Sequence, residues 1–171
     1  MVTPNHINQS TEYWADVFTK NWGLEANLTK LEGEYDLNFL AVSPSAKPLI
    51  LKVMRKNCPN WLVSAQISAM QHIETVANLP STPKVFLNKV GQSCIEVADN
   101  LGNVRIVWAL EYIPGKCLAN LHSKPLNLIK EIGAALGATT KALSGYKNKD
   151  LDRTFKWNLL QASWIDDQLI C

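Results

Sequence analysis

Apolar positions recur along this chain at two spacings, and the change from one to the other divides it into elements. Over "STEYWADVFTKNWGL", Tyr13, Trp14, Val17, Phe18 and Trp22 stand at helical spacing. Ser10 is placed to cap that helix and Gly23 to stop it. The stretch "NLTKLEGEYDLNFLAVSPSAKPLILKVMRK" then reads as strand, turn, strand, turn and strand. Gly33 marks the first turn, and Pro44 with Ser45 marks the second. Connections this short join antiparallel strands, because a parallel pair needs a long crossover.

"NWLVSAQISAMQHIETVANL" predicts a long helix with Leu62, Gln66, Ala69, Ile73 and Val76 along one side. Gln66 is the polar member of that stripe. "PSTPKVFLN" brings the chain back extended, and "QSCIEVADNLGNVRIVWALEYIPG" predicts a hairpin around "DNLGN". From Leu126 the pattern is helical, through "LNLIKEIGAALGATTKALSGY", a loop, and "KWNLLQASWIDDQL". The pattern is that of an α+β fold with a boundary after Pro114. Residues 1–114 would carry the sheet and the N-terminal helix. Residues 115–171 would carry a hinge exit and the first helices of a second unit, too short to close a core of its own.

Composition adds exclusions more than assignments. With 171 residues, 47% hydrophobic and 19% charged, the chain is globular. A net charge of +2, from 17 basic and 15 acidic residues, leaves no electrostatic footprint for nucleic acid. Cys58, Cys94, Cys117 and Cys171 form no CxxC pair and no zinc-ligand spacing with histidine. They read as reduced, mostly buried thiols. The first residues lack the pattern of a signal peptide, and no stretch approaches the roughly 18 apolar residues that span a bilayer. The expected location is cytoplasmic, with no membrane partner.

One polar residue disturbs an otherwise apolar strand. In "PLILKVMRK", Ile50, Lys52 and Met54 share one face, and Leu49, Leu51 and Val53 share the other. A lysine is rarely placed inside, because desolvating its charge is costly unless a partner compensates. Lys52 could snorkel to water, point toward Gln66, or point into a cleft on the opposite side of the strand. A lysine on a strand beneath a turn, followed by a helix and a strand ending in a Gly-marked hinge, is what a nucleotide-binding lobe requires.

In order along the chain, "NWGLEANLTKLEGEYDLNFLAV", "LILKV", "LVSAQISAMQHI", "VWALEYIPGKCL", "EIGAALGATTKALSGY" and "DRTFKWNL" resemble the aminoglycoside phosphotransferase-like kinases. The branch most resembled contains hydroxylysine kinase and occurs also as the kinase half fused to class III aminotransferases. The resemblance implies a protein-kinase-like N-lobe, antiparallel sheet plus helix, followed by the first helices of a truncated helical C-lobe. It implies ATP as the nucleotide, Mg²⁺ as its metal, and a small-molecule acceptor, a small amino alcohol or hydroxylated amino acid, in the intact protein. By the same resemblance Lys52 contacts phosphate, and "EGEYDLNF", with Glu34, Tyr35, Asp36 and Asn38, covers the nucleotide. Glu111, Tyr112 and Ile113 fall at the adenine hinge, and Gln66 occupies the place of the helix residue that partners the lysine, commonly a Glu.

The chain departs from that family beyond the hinge. The family's catalytic His-x-Asp loop, its Asn and its later metal-binding Asp have no counterpart. His6, His72 and His122 are followed two positions later by Asn8, Glu74 and Lys124. They read as an N-terminal residue, a helix-surface residue and a loop residue. The paired Asp166 and Asp167 project in different directions on a helix, and Glu74 reads as a solvated helix residue. No catalytic or metal residue is therefore assigned, and the chain alone is expected to lack turnover. The alternative expectation is a non-catalytic interaction module that keeps the fold. Its tryptophans and unfinished helical half would dock another chain or a second copy of this one.

Overall fold

The computed structural model describes residues 10–76 and 81–151, together with Asn158 and Ser163. The first helix, α1 (Thr11–Trp22), starts and stops where its ends predict. The Ser10 side chain accepts a bond from the Tyr13 backbone N–H at 3.3 Å. Gly23 adopts a left-handed φ of 72°, which costs a residue without Cβ little, and its N–H closes on the Thr19 carbonyl. Trp14, Val17, Phe18 and Trp22 form the buried stripe of this helix.

The three predicted strands follow as β1 (Asn27–Leu31), β2 (Leu37–Val42) and β3 (Leu49–Val53). After helix α2 (Asn60–Glu74) come the short β4 (Val85–Phe86), β5 (Cys94–Ala98) and β6 (Val104–Glu111). All pairings are antiparallel, in the order β1-β2-β3-β6-β4, with β5 pairing β6 beside β4. In β6 every residue from Arg105 to Leu110 is buried, because both of its faces are covered.

The two faces of β3 enter two different cores. Leu49, Leu51 and Val53 pack with Phe39, Ala41, Val107 and Ala109 under the aromatic stripe of α1. Ile50 and Met54 pack with Ile106, Trp108 and Leu110 under Val63 and Ile67 of α2. Burying each such large side chain contributes about 1.5–3 kcal/mol, so the sheet is anchored from both sides. Two polar tips of α1 tie it to strand ends. Trp22 Nε1 donates to the Phe86 carbonyl at 3.1 Å, and the Tyr13 hydroxyl donates to the Ala98 carbonyl at 2.6 Å.

Helix α2 corrects the predicted stripe. Its buried residues are Leu62, Val63, Ala65, Ile67 and Ile73, while Gln66 and Ala69 are half-buried and Val76 lies past the helix end, exposed. The helix is covered on two sides, so one stripe does not describe it. Val63 and Ile67 meet the sheet, and the other side meets α3 (Leu126–Leu143). There His72 Nε2 lies 3.1 Å from the Ala142 carbonyl, and the Tyr146 hydroxyl donates to the Ala65 carbonyl at 3.2 Å. His72 is thus an inter-helix residue and not the surface residue its sequence context predicts. A carbonyl only accepts, so Nε2 is the protonated nitrogen.

The "DNLGN" hairpin is built around Asp99. Its carboxylate accepts from the backbone N–H of Leu101 and Asn103 and from Arg105 Nε at 2.8 Å. Gly102 takes the left-handed φ of 77° that closes the turn. Of α3, Leu126, Ile129 and Leu136 are exposed and Ala142 is its buried residue. The predicted final helix, with Asp166 and Asp167, and His6 lie outside the described residues, apart from Asn158 and Ser163. No helix among the described residues is long and apolar enough to cross a membrane.

Candidate nucleotide site

Lys52 is the last residue but one of β3, paired with Asn38 of β2 on one side and Trp108 of β6 on the other. Register therefore puts these three side chains on one sheet face, the face that packs under α2. Burial pushes the Lys52 ammonium below its ordinary pKa, and the negative charge of Asp36 opposes that shift without cancelling it. The ammonium donates to Asn38 Oδ1 at 2.8 Å. No hydrogen bond joins it to Gln66 among the described residues, although α2 covers the same face.

The β1–β2 turn lies at the β3 exit, next to Lys52. Asp36 Oδ1 accepts from the Arg55 backbone N–H at 2.9 Å, and the Arg55 guanidinium approaches the same oxygen at 3.9 Å. The guanidinium also stands 5.9 Å from the centroid of the Tyr35 ring. Glu34 and Tyr35 are exposed at the tip, whereas Asp36 and Asn38 are half-buried. Gly33 is required by close approach: a Cβ there would lie 2.5 Å from Asn38 Nδ2 and 2.6 Å from the Asp36 carbonyl oxygen.

Glu111, Tyr112 and Ile113 occupy the other end of the sheet. Glu111 pairs with Leu49 and its N–H bonds the Lys84 carbonyl, while the Tyr112 N–H bonds the Pro48 carbonyl. All three are exposed, as is the chain that follows through Asn120. Trp108, opposite Lys52, is three residues before Glu111, so the two ends are separated by about 10 Å along the strand. His122 and Glu74 are exposed. No group of three His, Cys, Asp or Glu among the described residues is arranged to hold a metal ion.

Sequence reasoning placed Asn38 in the covering turn but missed its bond to Lys52. The signal was present in the β2–β3 connection. A turn centred on Ser45 puts residue 38 opposite residue 52, and cross-strand partners share a face.

No family model and no curated protein sequence matches the chain. Solved structures do. An amicoumacin kinase, in complex with AMP-PNP, Ca²⁺ and Ami, aligns with a TM-score of 0.66 at 15% identity over 82% of this chain. A microcompartment-associated aminopropanol kinase aligns with a TM-score of 0.67 at 16% identity over 86%. The fold is kinase-like. The alignments cover 42% and 45% of those two chains, so this chain spans less than half the length of the structures it matches. The mixed architecture of antiparallel sheet and helices expected from the sequence is the one observed.

Proposed function

We propose that the chain is the ATP-binding portion of a small-molecule kinase. One observation carries the reading: a lysine ammonium held at the centre of a kinase-like sheet, partly withdrawn from water, beside an exposed turn. Such a charge is an inefficient use of a strand interior unless an anion completes it. Phosphate oxygens are the fitting anion, and the contact gains strength where water is scarce. Asp36 and Asn38 with Glu34 and Tyr35 would line the phosphate end. The exposed segment Glu111, Tyr112 and Ile113 would take the adenine through backbone groups other than the Glu111 and Tyr112 N–H, which already bond the Lys84 and Pro48 carbonyls. Gln66, half-buried on α2, would be the neutral helix residue turned toward the nucleotide.

The proposed unit boundary follows Pro114. In the intact protein, the reaction would move the γ-phosphoryl group of ATP to a hydroxyl of a small amino alcohol or hydroxylated amino acid. The aminopropanol kinase among the structural neighbours favours that acceptor class, and the AMP-PNP of the other favours the nucleotide. Among the described residues no group of three His, Cys, Asp or Glu is placed to hold Mg²⁺. With no His-x-Asp loop in its sequence, the chain by itself would bind nucleotide without turnover.

Thermal unfolding with and without Mg-ATP tests this reading. At a ligand concentration 100 times Kd the fold gains about 2.7 kcal/mol. That corresponds to roughly 5–11 °C at this chain length. Lys52→Ala should abolish the shift. A wild type that does not respond at saturating Mg-ATP overturns the proposal and returns the chain to a non-catalytic role.

A further inference from the structure

We propose that Asn38 is the positioning residue for Lys52, so that the β1–β2 turn orients the lysine and helix α2 does not. The proposal rests on the reading of Lys52 as the phosphate-contacting residue, and it concerns what aims that residue.

Several contacts converge on the Asn38 amide. Its oxygen accepts from Lys52 Nζ at 2.8 Å, and its orientation is fixed by chemistry, because an ammonium cannot face an NH₂ group. Its nitrogen lies 3.5 Å from the Asp36 carbonyl oxygen, a weak contact that turns the amide toward the turn. Gly33 closes over the same nitrogen so tightly that no Cβ fits. The turn is fastened in its place by Asp36, which accepts the Arg55 N–H at the end of β3. Gly33, Asp36 and Asn38 thus form one packed unit whose free acceptor is aimed at the ammonium. Helix α2, which covers the same sheet face, carries the half-buried Gln66, which is neutral and makes no bond to Lys52 among the described residues.

The arrangement has a chemical consequence. A carboxylate partner would orient the lysine and also draw its charge. An amide oxygen orients it and leaves the charge for an incoming phosphate. The turn that closes over the phosphates also holds the lysine, so displacing the turn tip misaims the ammonium without any movement of α2.

Lysine side-chain NMR on ¹⁵N-lysine-labelled protein tests this without nucleotide, with the Lys52 Nζ signal assigned by its loss in Lys52→Arg. Asn38→Ala, or the milder Asn38→Ser, should move that signal to the position of free lysine side chains. Gly33→Ala should move it as well, although it alters neither Lys52 nor Asn38. Gln66→Ala should leave it in place. In the same samples Asn38→Ala should weaken Mg-ATP binding by roughly 10–150-fold, because the misaimed ammonium loses its charge-assisted bond to phosphate. An Nζ signal unmoved by Asn38→Ala, or moved by Gln66→Ala, overturns the proposal. A wild type blind to Mg-ATP, with the Nζ signal behaving as described, leaves the positioning intact and refutes the nucleotide reading alone.

Discussion

Replacing Lys52 with methionine should remove the proposed function and leave the fold as stable as before, or slightly more so. The sign follows from the direction of the ammonium's pKa. Burial lowers it even with Asn38 accepting and Asp36 nearby, so the folded chain holds the charged form less well than water does. Methionine keeps much of the apolar stem among Ile50, Met54 and Trp108 and removes the charge. A bond to a charged group contributes about 1.5–3 kcal/mol net where its loss leaves the partner unsatisfied, but Asn38 is half-buried and water can replace the donor. The net change should lie within about 1 kcal/mol on the stabilising side, or roughly 2–4 °C in Tm. Leu51→Ala, one residue away and fully buried, should instead cost about 2–5 kcal/mol.

The same argument fixes the pH dependence. Between the lowered folded-state pKa and the ordinary value of 10.5, the unfolded chain binds more protons at Lys52 than the folded one. Wild-type stability at this site therefore rises with pH in that window. The advantage of the methionine variant is full below the folded-state pKa and fades as pH approaches 10.5. Circular-dichroism melts at pH 7 and pH 10 measure both effects. A loss above about 2 kcal/mol in Lys52→Met at pH 7 would refute the reasoning, because it would make the lysine a structural pair with the turn.

Two further outcomes test the packing around the site. Asp99→Ala strands the buried Arg105 guanidinium, 3% exposed, and should cost about 3–5 kcal/mol in urea denaturation at pH 7. Burial alone would raise the Asp99 carboxyl, but hydrogen bonds from Asn103, Arg105 and Leu101 outweigh it and hold the carboxyl below its ordinary value. The stability it contributes should persist above the unfolded value near 3.8 and be lost as pH falls through the lowered one. Tyr146→Phe removes the hydroxyl that bonds the Ala65 carbonyl and should loosen α3 from α2 by about 1 kcal/mol. Amide exchange should then quicken in α3 and not in β3, and equal quickening in both would contradict a local role.

Much of this protein is written in local pattern. The limits of α1 follow from Ser10 and Gly23, because a cap bond and a left-handed φ are decided within one turn of helix. The strands β1, β2 and β3 follow from alternation and from turns too short for any but antiparallel pairing. The oddity of Lys52 is legible too, since a charge in an apolar strand stands out whatever surrounds it. The kinase-like architecture was expected from ordered motifs spread along the chain, and shape comparison finds the same architecture at 15–16% identity.

What tertiary structure decided is which neighbour each side chain meets. The helical period placed Gln66 on an inward stripe, but α2 is covered by the sheet on one side and α3 on another, and the resulting buried set excludes it. His72 looked solvated because nothing in its own helix reveals that the Ala142 carbonyl will approach it. The choice of Asn38 over Gln66 as partner to the ammonium lies in register and in the close approach of Gly33, both set across strands distant in sequence. Sequence period fixes the direction of a side chain relative to its own element. The partner it finds there depends on how the other elements pack, and that is a property of the whole fold.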